Sequence, residues 1–155
     1  MNQQVARILV IDDDESIRKS FSIALKGVGY SVDTAADGKE AIEKSNMNFY
    51  NLALIDIRLP DMEGTELLTA MRDTFPKMVK IIVTGFPSMK NAIEAVNRGA
   101  DGFLVKPTDP RDLLRIVAEH LRKQQEAKRY SEEKVKEFVE SRAKELEERE
   151  ADFKP

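Results

Sequence analysis

Five times within its first 122 residues the chain repeats one pattern: a short apolar run, a polar break, and then apolar residues at helical spacing. The runs are Arg7–Ile11, Tyr30–Ala35, Leu52–Ile55, Lys80–Val83 and Gly102–Val105. Four are apolar runs too short for a buried helix and Tyr30–Ala35 alternates, so each reads as a strand. The stripes between them read as helices. Ile17, Phe21, Ala24 and Leu25 mark the first, and Ala41 and Ile42 the second, with Asp37 and Glu40 as a capping box. Leu67, Leu68 and Met71 mark the third, Ala92, Ile93 and Val96 the fourth, ended by Gly99. The fifth starts at Asp109-Pro110 and carries Leu113, Leu114, Val117 and Leu121. Alternating strands and helices demand a parallel sheet covered on both faces. The expected fold is therefore α/β, a doubly wound five-stranded parallel sheet in the order 2-1-3-4-5, followed by an extended C-terminal helix.

A compositional seam divides the chain. Residues 1–122 are apolar at 55 positions and charged at 34; residues 123–155 are apolar at 9 and charged at 19. The second stretch cannot bury a core of its own. The expected organisation is a compact domain over 1–122 and a charged helical extension over 123–155, a linker or weak coiled coil. The last helix is expected to run unbroken to about Ala151. Acid-to-base pairs at i,i+4 support it: Glu119–Lys123, Glu132–Lys136, Glu140–Lys144 and Glu145–Arg149. The best apolar heptad register is broken twice, but Ala127, Tyr130, Val135, Phe138, Val139 and Leu146 form a drifting stripe. It is enough for a weak contact such as a homodimer through this helix.

Sheets of this kind bind ligands beyond the carboxyl ends of their strands, at the switch point between strands 1 and 3. Strand 1 runs into Asp12, Asp13, Asp14 and Glu15, strand 3 into Asp56, strand 4 into Thr84 and strand 5 into Lys106. Asp14 and Glu15 fit a helix N-terminus that favours negative charge. Taken singly, Asp12 and Asp13 fit that reading equally well, Thr84 reads as a loop hydroxyl and Lys106 as a solvated amine. Their coincidence on one rim points elsewhere. Crowded carboxylates bind a hard cation with oxygen ligands, Mg²⁺ or Mn²⁺. An amine and a hydroxyl beside it complete a phosphoryl site, in which Asp56 can act as nucleophile.

Composition narrows the chemistry further. The chain has no Cys and one His, His120, which excludes thiolate chemistry and multi-His metal centres. Its net charge of −3 gives no electrostatic case for nucleic acid. No apolar run has the roughly 20 residues of a membrane span. A cytoplasmic location is the resulting expectation.

ILVIDDDES, LALIDIRLPDMEG, IIVTGF and GFLVKP, in this order and spacing, resemble the receiver domain of two-component response regulators over about residues 5–122. The resemblance implies a flavodoxin-like fold. It also implies that Asp56 accepts a phosphoryl group from a sensor histidine kinase. Asp12 and Asp13 would form the Mg²⁺ pocket, with Asp13, Asp56 and the Arg58 carbonyl holding the ion and Asp12 acting through water. Lys106, through a bond to Pro107 commonly cis in the family, would pair with the phosphoryl group. Thr84 would swing to bind it and Phe103, where Tyr is common, would follow, switching the face made by the fourth helix, the fifth strand and the fifth helix toward a partner or effector domain. No dedicated substrate turnover is expected, only Mg²⁺-dependent phosphorylation and slow hydrolysis. Arg58 and Phe86 flank the pocket, and Gly85 leaves it open. Two other readings stand beside this one: a pseudo-receiver that only binds protein, and a haloacid-dehalogenase-like phosphatase using the Asp-x-Asp of Asp12 and Asp14.

Overall fold

The five runs do form strands, and each is followed by a helix. The computed structural model describes residues 4–153. In chain order the elements are β1 (Arg7–Ile11), α1 (Glu15–Gly27), β2 (Ser31–Ala35), α2 (Gly38–Met47), β3 (Leu52–Asp56), α3 (Gly64–Ala70), β4 (Val79–Thr84), α4 (Met89–Asn97), β5 (Gly102–Val105) and α5 (Pro110–Phe153). The strands lie parallel in the order β2-β1-β3-β4-β5, as expected.

Alternation along the strands divides the core into two layers. Ile8, Val10, Leu52, Leu54, Ile81, Val83 and Leu104 pack with Phe21 and Leu25 of α1 and Leu113 and Val117 of α5. Leu9, Ile11, Ala53, Ile55 and Ile82 pack on the other side with Ala41 of α2, Leu67 and Leu68 of α3 and Ala95 of α4. The central strand β3 is buried at every position.

Local signals set the helix ends. Asp14 caps α1, accepting from Ser16 N at 2.8 Å and Ile17 N at 3.4 Å. Asp37 accepts from Glu40 N at 2.8 Å, and Glu40 accepts from Ala36 N at 3.1 Å, a capping box closed one residue early. Gly29 and Gly99 follow α1 and α4 with φ of +101° and +98°, which glycine adopts at no steric cost. Helix α3 ends one residue before Met71, which is extended.

Helix α5 runs through 44 residues, about 66 Å at ~1.5 Å per residue. Residues 154–155 of the expected extension, and residues 1–3, lie outside the described residues. Leu113 and Val117 bury its first turns. Farther on, Gln124 donates to the carbonyls of Asn51 and Lys77, both at 2.8 Å, and accepts from Asn51 Nδ2 at 3.2 Å.

The ion pairs along α5 differ from those expected. The close pairs are Asp112–Arg115 in the first turn and then Arg115–Glu119, Arg122–Glu126, Lys128–Glu132, Lys134–Glu137, Lys136–Glu140 and Arg142–Glu145, with the base first in all but the first of them. Glu119, Glu132 and Glu140 each stand between a base four residues before and one four residues after. The two alternatives differ by less than about 0.5 kcal/mol on an exposed helix, so sequence order does not select between them.

Candidate functional site

The carboxyl ends of β1, β3, β4 and β5 meet on one rim. Asp12 follows β1 and Asp56 ends β3; carboxylate oxygens of Asp12, Asp13 and Asp56 lie within 4.8 Å of one another. Asp12 and Asp56 are buried, whereas Asp13 is exposed. Asp12 is anchored on several sides. Its N–H donates to Ala35 O at 3.0 Å, its carboxylate accepts from Asp14 N at 2.9 Å, and Arg18 Nη1 donates to its carbonyl at 2.8 Å.

Lys106 reaches this pocket from the loop after β5. Its Nζ donates to Asp12 Oδ2 at 2.7 Å and lies 3.5 Å from Asp56 Oδ2. The Lys106-Pro107 bond is cis, as is Phe75-Pro76. Thr84, at the end of β4, is buried and its hydroxyl accepts from Phe86 N at 3.0 Å. The backbone ties these residues together, since Lys106 N donates to Thr84 O at 2.8 Å. Gly64 makes the approach of α3 possible: a Cβ there would lie 2.0 Å from the Asp56 carbonyl.

The electrostatics follow from the crowding. Burial, then the Asp12 carboxylate, raise the Asp56 carboxyl above its ordinary value; the Lys106 ammonium and a backbone hydrogen bond at Arg58 oppose this, and Asp13 adds to the rise. Burial alone would lower the Lys106 amine, but the hydrogen bond and charge of Asp12, together with Asp56, outweigh it and hold the ammonium above its usual range. Three carboxylates thus crowd together, and the Lys106 ammonium contacts two of them, Asp12 and Asp56. The all-oxygen donor set and the uncompensated negative charge suit a hard divalent cation.

Several details were not legible in the sequence. The Arg58 guanidinium does not face the acids; it stacks 4.6 Å from the Phe86 ring centre. Asp61, in the loop before α3, accepts from Gly38 N at 2.8 Å and Lys39 N at 2.9 Å, tying that loop to α2. Lys80 is buried in β4 and donates to Leu68 O at 2.7 Å, satisfying a carbonyl at the end of α3. A Cβ added at Gly85 would meet Lys106 Cβ and Cδ at 3.9 Å, an ordinary contact. Phe103 pairs in register with Ile82 and packs, partly buried, against the α2–α4 layer. Close by, Met89, Ile93 and Val96 of α4 and Val105 of β5 are exposed. Asp14 is committed to capping α1, which removes the second acid that a phosphatase of the Asp-x-Asp kind needs.

Residues 8–118 match the model of the response regulator receiver domain. The chain belongs to the response regulator receiver family. A receiver domain protein from Methanospirillum hungatei JF-1, described as CheY-like, is 45% identical with a TM-score of 0.76, covering 80% of this chain and 99% of that one. The alginate biosynthesis transcriptional regulatory protein AlgB of Pseudomonas aeruginosa is 35% identical over 76% of this receiver chain and 26% of its own length. This chain therefore spans about a quarter of that regulator. A response regulator from Burkholderia pseudomallei, solved with a phosphorylated aspartic acid, calcium ion and citrate, is 27% identical with a TM-score of 0.64, covering 70% of this chain and 64% of that one. As a receiver, the chain is part of two-component signalling. Among its described residues, no helix is long and apolar enough to cross a membrane.

Proposed function

We propose that the chain is a phosphorylatable receiver in which Asp56 takes a phosphoryl group from the phosphohistidine of a sensor kinase. One observation carries the reading: Asp56 sits buried at the rim with Asp12 and Asp13 on one side and the Lys106 ammonium 3.5 Å away. The Burkholderia relative with its phosphorylated aspartic acid supports the same chemistry.

In this reading a carboxylate oxygen of Asp56 attacks phosphorus. A new O–P bond forms, the P–N bond to the kinase histidine breaks, and the imidazole leaves with the bonding electrons and takes up a proton. Asp13, Asp56 and the Arg58 carbonyl would hold Mg²⁺ (Mn²⁺ in its place), with Asp12 acting through water. When bound, the ion neutralises carboxylate charge and the charge gathering on the phosphoryl oxygens. Lys106 supplies a second positive charge, moving from Asp12 toward the phosphoryl group. Thr84 keeps a hydroxyl proton to donate while Phe86 N–H occupies its lone pair. Turning Thr84 to the phosphoryl group breaks that hydrogen bond and frees space toward Phe103, coupling the site to the exposed apolar row of α4 and β5.

The receiver unit is taken as residues 1–122 and the extension as 123–155, a helical linker through which the chain dimerises. The partners are a sensor histidine kinase and a downstream protein or effector domain. The test is labelling by a small acyl phosphate with and without Mg²⁺. Mg²⁺-dependent labelling of wild type and none of Asp56→Asn is expected; equal labelling of both overturns the reading.

A further inference from the structure

The half of α5 beyond Gln124 has no partner within the described residues. Val135, Phe138, Val139 and Leu146 are 50–71% exposed on it, a large apolar display for a solvated helix. One seam keeps heptad spacing through this region: Lys128, Glu132, Val135, Val139, Arg142, Leu146 and Arg149. Three of its positions are apolar and the rest are charged, so the charges decide which neighbour it tolerates.

A second copy running parallel and in register would set Glu132 against Glu132, Arg142 against Arg142 and Arg149 against Arg149, all like-charged contacts along the seam. Reversing the second copy removes every one of them. With Val135 level with Leu146 of the other copy, Glu132 meets Arg149, Val139 packs on the Arg142 stem, and Arg129 on the flank meets Glu150. Each contact occurs twice by symmetry. The wider charge pattern agrees. Residues 123–136 hold five bases and three acids, whereas residues 137–150 hold three bases and six acids. Antiparallel copies lay each basic half on an acidic half.

We infer that the α5 extension is an antiparallel pairing surface for a second copy of this chain. The inference rests on the reading of the extension as a dimer contact and gives that contact a direction. It sets the two receiver units at opposite ends of a helical rod. Residues at the level of Gln124 stand about 50 Å apart, from ~1.5 Å per residue, and the α4–β5 face of each unit stays free.

The absence of Cys makes the test direct. Glu126→Cys places one spin label on the outer face of the extension, where Glu126 is exposed and pairs only with Arg122 at the surface. Pulsed dipolar spectroscopy on the full chain should read roughly 40–45 Å between copies for the antiparallel arrangement. A separation under about 20 Å, set by helices packed side by side in parallel, overturns the direction but leaves the dimer standing. A monomer by sedimentation under the same conditions overturns both. In a second measurement, Glu132→Arg should weaken association about tenfold, and adding Arg149→Glu should restore it, because the pair is remade with its signs exchanged. Failure of the double variant to recover association overturns the pairing. Both residues are exposed, so circular dichroism should show an unchanged receiver.

Discussion

The Lys106 ammonium donates its short hydrogen bond to Asp12, 2.7 Å away. The carboxylate proposed to accept phosphate, Asp56, is farther off at 3.5 Å. The amine is thus held by a neighbouring acid and ready to shift by a small side-chain movement when a phosphoryl group arrives.

Removing that amine should have two opposite effects. Lys106→Met leaves the buried Asp12 and Asp56 facing each other and should cost about 3 kcal/mol of stability in metal-free buffer. The same change removes a cation that competes with a divalent ion for these oxygens. Mg²⁺ affinity should rise roughly tenfold, from Coulomb interactions a few ångströms apart in a wet pocket. Denaturant unfolding and a Mg²⁺ titration check the two halves separately.

Asp56→Asn should stabilise the metal-free protein by about 1 kcal/mol, the usual gain when a strained functional group is relieved. The pH dependence has a definite sign. Because the Asp56 carboxyl is raised above its ordinary 3.8, the folded state holds the proton more tightly than the unfolded chain. The corresponding stability is fully present below 3.8 and is lost as pH rises through the folded value. Thermal unfolding of wild type and Asp56→Asn across that range should show this slope in the wild type alone.

Gly64 and Gly27 should respond to alanine in opposite directions. A Cβ on Gly64 would lie 2.0 Å from backbone that cannot move aside, so Gly64→Ala should cost 3 kcal/mol or more, on the order of a severe steric defect, and displace Asp56. A Cβ on Gly27 meets nothing within 4 Å at the end of α1, and Gly27→Ala should add roughly 0.5–1 kcal/mol. Chemical denaturation of the two variants measures both.

These cases separate what the sequence shows from what it hides. Strand identity was legible because a run such as LALI has no other place to go than a buried sheet, and strand order followed from short right-handed connections. The rim acids, Thr84 and Lys106 were legible because each directly follows a strand. Pairings among long side chains were not. Nothing in the one-dimensional order says that Arg58 turns to Phe86 instead of the acids, or that Glu132 takes Lys128 over Lys136. Lys80 was hidden for a different reason: a lysine opening an apolar run reads as a strand edge, whereas its ammonium folds inward to a carbonyl left over by the short helix α3.

Lys80 gives a further pH signature. Burial lowers its amine below the ordinary 10.5, against the pull of Asp73 and with some help from Lys77; Asp101 also opposes the shift. Between the folded value and 10.5 the unfolded chain binds more protons, so this residue makes stability rise with pH over that interval. Lys80→Met should remove that alkaline rise while leaving the acid limb intact, as read from denaturant midpoints at successive pH values.

The central claim is that Asp56 is the phosphoryl acceptor. Peptide mass spectrometry after brief treatment with an acyl phosphate and Mg²⁺, with the acyl phosphate trapped by borohydride, tests it most directly. The account predicts modification at Asp56, lost when Mg²⁺ is chelated. Modification centred on Asp12, Asp13 or a hydroxyl residue, with Asp56 untouched, would contradict it.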